Sequence, residues 1–340
     1  MNKIIDLRSD TVTKPSEEMR KAIYNAEVGD NVFKEDPTVN ELENYMCQLL
    51  GKEAALYVSS GVMGNQICLN VHSEPGDEVL CDKDAHIVHY ESGSLAALSG
   101  LQVSTINGEN GIISAEQVDA AVRPYAYYQP KTKIVEIENT HNRAGGTVYS
   151  IEKIKSIHEV VKKHKLIFHL DGARLWHAHI ATGVSMKEYV SYFDSVSVCL
   201  SKGLGAPVGS IIAGSKEFIE KATRIRKAWG GGMRQAGIIA AAGLYAVKNN
   251  VERLKDDHLK AKKFAEAISG FDFLYVDIST VETNIVMFDT KIPAIEFAAK
   301  CEEKGLRLIP FGPNRIRVVT HMDVSFEDMD DAVKIISGIV

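Results

Sequence analysis

From about residue 50 to residue 215 the chain alternates short β-branched runs with helical patterns, and this alternation constrains the fold more than any other feature. The runs are Leu56–Val58, Glu78–Leu80, Val103–Ile106, Ile134–Ile137, Leu166–Leu170, Ser195–Leu200 and Gly209–Ala213. Between two of them Ile151, Ile154, Ile157 and Val161 recur at helical spacing, with Lys and Glu on the other face. Strand–helix–strand repetition over such a length predicts an α/β layered domain with a mostly parallel sheet. After Ala240–Ala246 the pattern changes. A charged helical stretch over Val251–Ile268 precedes strand-like Phe273–Val276, Asn284–Phe288 and Arg315–Val319, with a helix around Ala294–Lys304. The reading is a large domain over residues 1–250 that includes the N-terminal segment, and a small α+β domain over 251–340.

Open parallel sheets bind ligands beyond the carboxyl ends of their strands, so the residues that end the strands carry the functional argument. Leu166–Leu170 runs into Asp171-Gly172-Ala173-Arg174, delivering a carboxylate at a strand end. Ser195–Leu200 delivers Ser201-Lys202 into the glycine-rich Gly203-Leu204-Gly205-Ala206-Pro207. Either residue alone reads as a helix cap or a solvated loop lysine. Together they meet the needs of pyridoxal 5′-phosphate (PLP): a lysine to hold the cofactor as a Schiff base and a carboxylate to keep its pyridine nitrogen protonated. The cofactor phosphate needs free backbone N–H groups at a helix N-terminus. Ser59-Ser60-Gly61-Val62-Met63-Gly64-Asn65 supplies one, between the Leu56–Val58 strand and the helical Gln66–Val71. His86, after the acidic turn Asp82-Lys83-Asp84, is placed to stack on the ring, and His141 follows another strand on the same sheet edge.

These residues and their neighbours resemble the PLP-dependent threonine aldolases, the low-specificity L-threonine and L-allo-threonine aldolases. The resemblance rests on eight stretches in the family's order: Asp6–Thr13, Glu35–Thr38, Asp82–His86, Glu138–Asn142, His169–Arg174, Cys199–Pro207, Gly230–Gln235 and Val319–His321. It implies the aspartate-aminotransferase-like fold (fold type I), with a large mostly parallel-sheet domain, a small C-terminal domain and a homotetramer with sites shared between subunits. It makes Lys202 the Schiff-base lysine, Asp171 the pyridine-nitrogen partner and His86 the stacking residue. Ser60, Gly61 and Val62 fall in the phosphate loop. Ser9, Arg174 and Arg317 are the residues implied for the substrate carboxylate, Arg174 also bordering the cofactor. Arg234 is implied to reach the cofactor phosphate of a neighbouring subunit, and His141 to lie near the substrate β-hydroxyl. The implied reaction is cleavage of a small β-hydroxy-α-amino acid to glycine and an aldehyde, with His86, His141 or a water between them as the base. Two positions depart from the family: Val62 stands where a threonine is common and Phe33 where a tyrosine is usual, each removing a hydroxyl.

Several other classes fit less well. A β-eliminating lyase, racemase or aminotransferase on the same fold would share Lys202 and Asp171 and differ in product. A non-catalytic PLP-binding protein would have no use for the arginine set. A metal-dependent hydrolase would draw on His86, His89 and Glu91, or on His177 and His179 beside Asp171, with no further ligand at a recognised spacing. A net charge of −6 without a basic block argues against nucleic acid. The longest uncharged stretch, Ala54–Ser73, is too broken by Ser, Gly, Asn and Gln to span a membrane. Five scattered cysteines without a CxxC pair, and no signal-peptide apolar core, give the expectation of a cytoplasmic protein with reduced thiols.

Overall fold

The computed structural model describes residues 3–339. Thirteen strands form three sheets among these residues: β1 (Ile5–Asp6), β2 (Ala54–Val58), β3 (Asp77–Asp82), β4 (Gln102–Ile106), β5 (Lys131–Glu138), β6 (Ile167–Asp171), β7 (Ser195–Cys199), β8 (Ser210–Gly214), β9 (Leu274–Tyr275), β10 (Ile285–Thr290), β11 (Leu306–Arg307), β12 (Ile309–Pro310) and β13 (Arg315–Val319). The seven-stranded sheet has the order β2-β8-β7-β6-β5-β3-β4. All its strands run parallel except β8, which is antiparallel to both neighbours. The carboxyl ends of β2, β3, β5, β6 and β7 therefore share one edge, where the sequence reading places the site.

The helices form for local reasons and pack by their apolar stripes. In Ile151–His164 the four periodic residues are all buried, Ser150 caps the start, and Lys162, Lys163 and His164 sit in the last turn against the negative end of the helix dipole. Helix Gly61–Val71 lies tight on the sheet. A Cβ on Gly64 would come within 2.4 Å of Ser197 Oγ, and one on Gly61 within 2.7 Å of Cys199 Sγ.

The second core gathers the helices Leu254–Ile268, Ala294–Glu303 and Phe326–Ser337 against the β12-β13-β10-β9 sheet. The N-terminal segment joins this core rather than the large one. β1 pairs in parallel with β11, and Ile5 and Leu7 are buried among the residues of the small unit. Two-residue strands carry no periodic signal, so this pairing across the whole chain is invisible in the sequence. All five cysteines are free. No helix among the described residues is long and apolar enough to cross a membrane.

Candidate functional site

Asp171 ends β6 almost fully buried, and its oxygens only accept: Oδ1 from the Ala173 amide at 3.0 Å and Oδ2 from Asn65 Nδ2 at 2.7 Å. Three residues past β7, Lys202 is half-buried, and its carbonyl accepts the Gly205 amide at 2.8 Å. Among the described residues no side chain pairs with its amine. Gly205 takes φ +78°, and a Cβ there would strike Met322 Sδ, so the turn that presents Lys202 requires glycine. His86 opens the short helix His86–His89. Its backbone N–H goes to Glu138 Oε2 at 3.0 Å and its Nδ1 to Glu91 Oε1 at 2.8 Å. Burial lowers the affinity of the His86 ring for a proton. The Glu91 hydrogen bond and the charges of Asp171 and Glu138 outweigh that effect, and its pKa is raised. The charge of Lys202 also reaches this ring, so the three groups form one electrostatic cluster. At the start of helix Gly61–Val71, Ser60 Oγ accepts the Met63 amide at 3.1 Å and the Ser60 carbonyl accepts that of Gly64. The amides of Gly61 and Val62 remain free for an anion.

A second cluster lies beside the first. Arg174 donates from Nε and Nη2 to the two oxygens of Asp10, at 2.8 and 2.7 Å, with both residues out of water. Burial pushes the Asp10 carboxyl up, but Arg174, together with Lys202, holds it well below the usual carboxylate range. Asn142 Oδ1 accepts from Arg174 Nη1 at 3.2 Å and from Arg317 Nη1 at 2.8 Å. Among the described residues Arg317 has no carboxylate partner. Its Nη2 reaches the Arg8 carbonyl at 3.3 Å, its Nε is buried without a partner, and its guanidinium lies 4.6 Å from the Phe311 ring centre. Burial and the neighbouring charge of Arg174 pull its pKa down to about 10. Ser9 caps the short turn Asp10–Val12 next to this pair. The two arginines thus differ: Asp10 pairs directly with Arg174, whereas Arg317 feels the Asp10 charge without a hydrogen bond to it.

Residues 6–292 match the beta-eliminating lyase family. The chain is 46% identical over 96% of its length to a probable low-specificity L-threonine aldolase 2 of Arabidopsis thaliana, covering 94% of that protein. It is 40% identical to the low specificity L-threonine aldolase of Escherichia coli K12, covering 96% of each chain. The chain belongs to the low-specificity L-threonine aldolase family. The fold agrees. The threonine aldolase of Leishmania major superposes with a TM-score of 0.84 at 17% identity over 98% of both chains. A putative L-allo-threonine aldolase of Listeria monocytogenes gives 0.82 at 20%, over 99% of this chain and 96% of that one. The arrangement is the aspartate-aminotransferase-like fold type I expected from the sequence.

Within this aldolase-family chain, Lys202, Asp171, His86 and the Ser60–Val62 turn line one edge, with Ser9, Arg174 and Arg317 adjacent. Two further expected site residues are held by partners outside this group. His141 is buried, takes the Ala144 amide on Nδ1 at 3.2 Å and turns Nε2 toward Asp82 Oδ1 at 3.2 Å. It borders a cleft of about 970 Å³ with Lys83, Asn110 and Arg143, which Lys202, Asp171 and His86 do not line. Its link to His86 runs through Glu138, whose Oε2 is 4.0 Å from His141 Nε2. The Arg234 side chain is 59% exposed and bonded at 2.9 Å to Asp30, three residues before Phe33, itself 70% exposed.

The ligand sets considered for a metal are spoken for by hydrogen bonds. His177 Nδ1 pairs with His258 Nε2 at 2.9 Å, His179 with the Val184 carbonyl at 2.7 Å, and His89 with the Lys83 carbonyl at 2.9 Å. His86, Glu91 and Asp171 do converge within 4.8 Å, but the amide of Asn65 donates into that space. A donor aimed at both carboxylates repels a cation. Asp10, Asn65, Glu91 and Asn142 are the site residues that the sequence reading missed as such. Only Asp10 and Asn142 lie inside the family-like stretches, and none has a spacing signal of its own.

Proposed function

We propose that this chain is a PLP-dependent carbon–carbon lyase that splits L-threonine, L-allo-threonine and related β-hydroxy-α-amino acids into glycine and an aldehyde, acetaldehyde for threonine itself. One observation carries the reading: a lysine amine with no side-chain partner among the described residues, its charge felt by His86 and Asp10, shares a sheet edge with an acceptor-only buried carboxylate and an arginine that pairs with no carboxylate. The donor set fits the cofactor. Lys202 would carry it, Asp171 would accept from its ring nitrogen, His86 would cover its face, and the Gly61 and Val62 amides with Ser60 would take its phosphate. When bound, PLP supplies the electron sink for the pair released as Cα–Cβ breaks.

The protein's own task is orientation. Arg317, assisted by the Arg174–Asn142 pair and Ser9, holds the substrate carboxylate in the planar two-point geometry of a guanidinium. That fixes rotation about Cα–N and sets which bond stands perpendicular to the ring. His86 Nε2 is the nitrogen not committed to Glu91, on a ring that feels the charges of Asp171 and Lys202. We assign the β-hydroxyl proton to it or to a water it holds, with His141 supporting through Glu138. A positioned base of this kind contributes roughly 10²–10⁴-fold.

The remaining assignments follow from the same reading. Residues 1–250 and 251–340 act as a large and a small unit, with the N-terminal strand riding on the small one. The exposed Arg234, bonded to Asp30 near the exposed Phe33, completes the site of a neighbouring copy by meeting its phosphate, in a homotetramer that works in the cytoplasm. The test is aldehyde release from L-threonine, L-allo-threonine and their D forms, coupled to an NADH-linked alcohol dehydrogenase, with Lys202→Ala as control. Release from L substrates that vanishes in the control is the expected result. Keto acid and ammonia, racemised substrate or transamination instead of aldehyde would replace aldol cleavage by another reaction of the same fold.

A further inference from the structure

Between the Asp171 carboxylate and the His86 imidazole lies a buried hydrogen-bond chain whose polarity can be read end to end. Glu91 is out of water, and its two oxygens accept from Asn65 Nδ2 at 2.9 Å and Gln66 Nε2 at 2.6 Å. The same Asn65 nitrogen donates to Asp171 Oδ2 at 2.7 Å. Asn65 therefore spends both of its N–H bonds on two different carboxylates. Its orientation is fixed from behind. Asn65 Oδ1 faces His169 Nε2 at 3.4 Å, and His169 Nδ1 faces Ser195 Oγ at 2.9 Å. Burial lowers the His169 pKa to about 4, so its ring is neutral; the amide orientation that gives both carboxylates a donor turns Oδ1 to Nε2, and it is matched by the tautomer that carries the ring's one proton there. An amide turned the other way would oppose its oxygen to two carboxylates and its NH₂ to an N–H. The absent Cβ of Gly64 lets the helix approach the sheet closely enough for Asn65 to reach across.

Two carboxylates facing each other in a buried space repel, and without a donor between them they are relieved by sharing a proton. We propose that Asn65 is a positioning residue that keeps Asp171 and Glu91 as two separate acceptors, and thereby sets both the ring-nitrogen partner and the plane of the stacking histidine. The other charged or titratable groups facing this pair are His86, Lys202, Glu138 and the buried Glu136, whose carboxyl burial drives well above the usual range. The inference rests on the cofactor reading given above and concerns a residue that never touches substrate.

The test uses full-length holoprotein loaded with PLP labelled with ¹⁵N in its ring. In the wild type the ring nitrogen should resonate as the protonated form across neutral pH. Asn65→Leu removes both donors at similar volume. The expected result is a ring-nitrogen signal shifted toward the unprotonated form and turnover lower by about 10- to 100-fold, the usual cost of removing a supporting hydrogen bond behind a functional group. Adding Glu91→Gln to that variant removes one of the two facing charges and still offers His86 an acceptor. It should return the ¹⁵N signal and most of the turnover, a rescue that a mere packing defect would not show. Asn65→Ser, which keeps one donor, gives an intermediate signal and decides the matter if Asn65→Leu does not fold. Failure of the wild type to bind PLP through Lys202 would sink the cofactor reading. Binding with the same ¹⁵N signal in wild type, Asn65→Leu and Asn65→Ser would leave that reading standing and overturn this one.

Discussion

Replacing Asp10 by Asn changes one charge and almost no volume, and it separates two jobs that the Asp10–Arg174 pair performs. The pair is buried on both sides and doubly hydrogen-bonded. Removing one partner of such a pair leaves an uncompensated charge out of water, at a cost of about 3–5 kcal/mol. Here the cost belongs at the upper end, because Arg317 beside it pairs with no carboxylate among the described residues and feels the Asp10 charge too. At about 2.1 cal/mol/K per residue, unfolding 340 residues carries an entropy of about 0.7 kcal/mol/K, so the melting temperature should drop by about 4–7 °C. The pH dependence supplies a second check. The Asp10 carboxyl has a folded pKa below its unfolded value, so its stabilisation is fully present above about pH 4 and fades as pH falls toward the folded value. The gap between wild type and Asp10→Asn should stay constant from pH 6 to 8 and narrow below about pH 4. Thermal unfolding of both proteins across that range measures it. At the site, a freed Arg174 competes with Arg317 for the substrate carboxylate, so kcat should fall while KM does not rise. A melting temperature within 1 °C of wild type would refute the pairing argument. A gap that stays unchanged in acid would refute its assignment to the Asp10 charge.

Arg317→Met removes the cation that pairs with no carboxylate. Truncating one side of a buried charge contact costs about 2–5 kcal/mol, so kcat/KM should fall by about 30- to 4,000-fold, and Arg317→Lys should restore little because it lacks the planar fork. His86→Asn should slow cleavage with cofactor retained. His141→Asn should lower stability at least as much as turnover, since its ring is fixed by Asp82 and Ala144 in a different cleft; steady-state rates and melting curves on both variants separate the cases. Burial lowers the pKa of His258 to about 4 and that of its partner His177 well below the ordinary value. The folded state then binds fewer protons than the unfolded one between about pH 6.5 and 4, and stability falls as pH falls through that window, by up to about 1.4 kcal/mol per pH unit for each histidine. His258→Gln should flatten the acid limb of stability measured by urea unfolding; an unchanged slope would show that the pair does not titrate there.

The seven strands of the large sheet, their order of appearance and the delivery of Asp171 and Lys202 at strand ends were legible in the sequence, because each rests on local pattern: β-branched runs, a helical stripe, a carboxylate or lysine meeting glycine. β1 and β11 were not legible. Each has two residues, too few for any period, and their pairing joins segments at opposite ends of the chain. Glu91 and Asn65 were illegible for a related reason. Glu91 follows a four-residue helix and Asn65 sits inside a helix read only for its N-terminus; they bond each other, and Asn65 bonds Asp171 at the end of β6, contacts that nothing local marks. His141 shows the opposite case. It follows its strand as expected, yet Gly111 packs so closely against it that a Cβ there would come within 2.4 Å of its ring, and Nε2 is turned toward Asp82, neither of them a neighbour that its local sequence marks.

The two arginines bring out the physical limit most plainly. In the sequence Arg174 and Arg317 look equivalent, each a guanidinium near a strand end suited to a carboxylate. What makes them unequal is an acid 164 positions before Arg174, brought in because β1 is stitched to the small unit and carries Asp10 with it. The choice of which cation is left for substrate is therefore made by the tertiary path of the N-terminal segment. A change that loosened that segment, such as Leu7→Ala in the second core, should alter carboxylate binding without touching any residue of the site, because it would release the counter-ion of Arg174 rather than any ligand to the substrate.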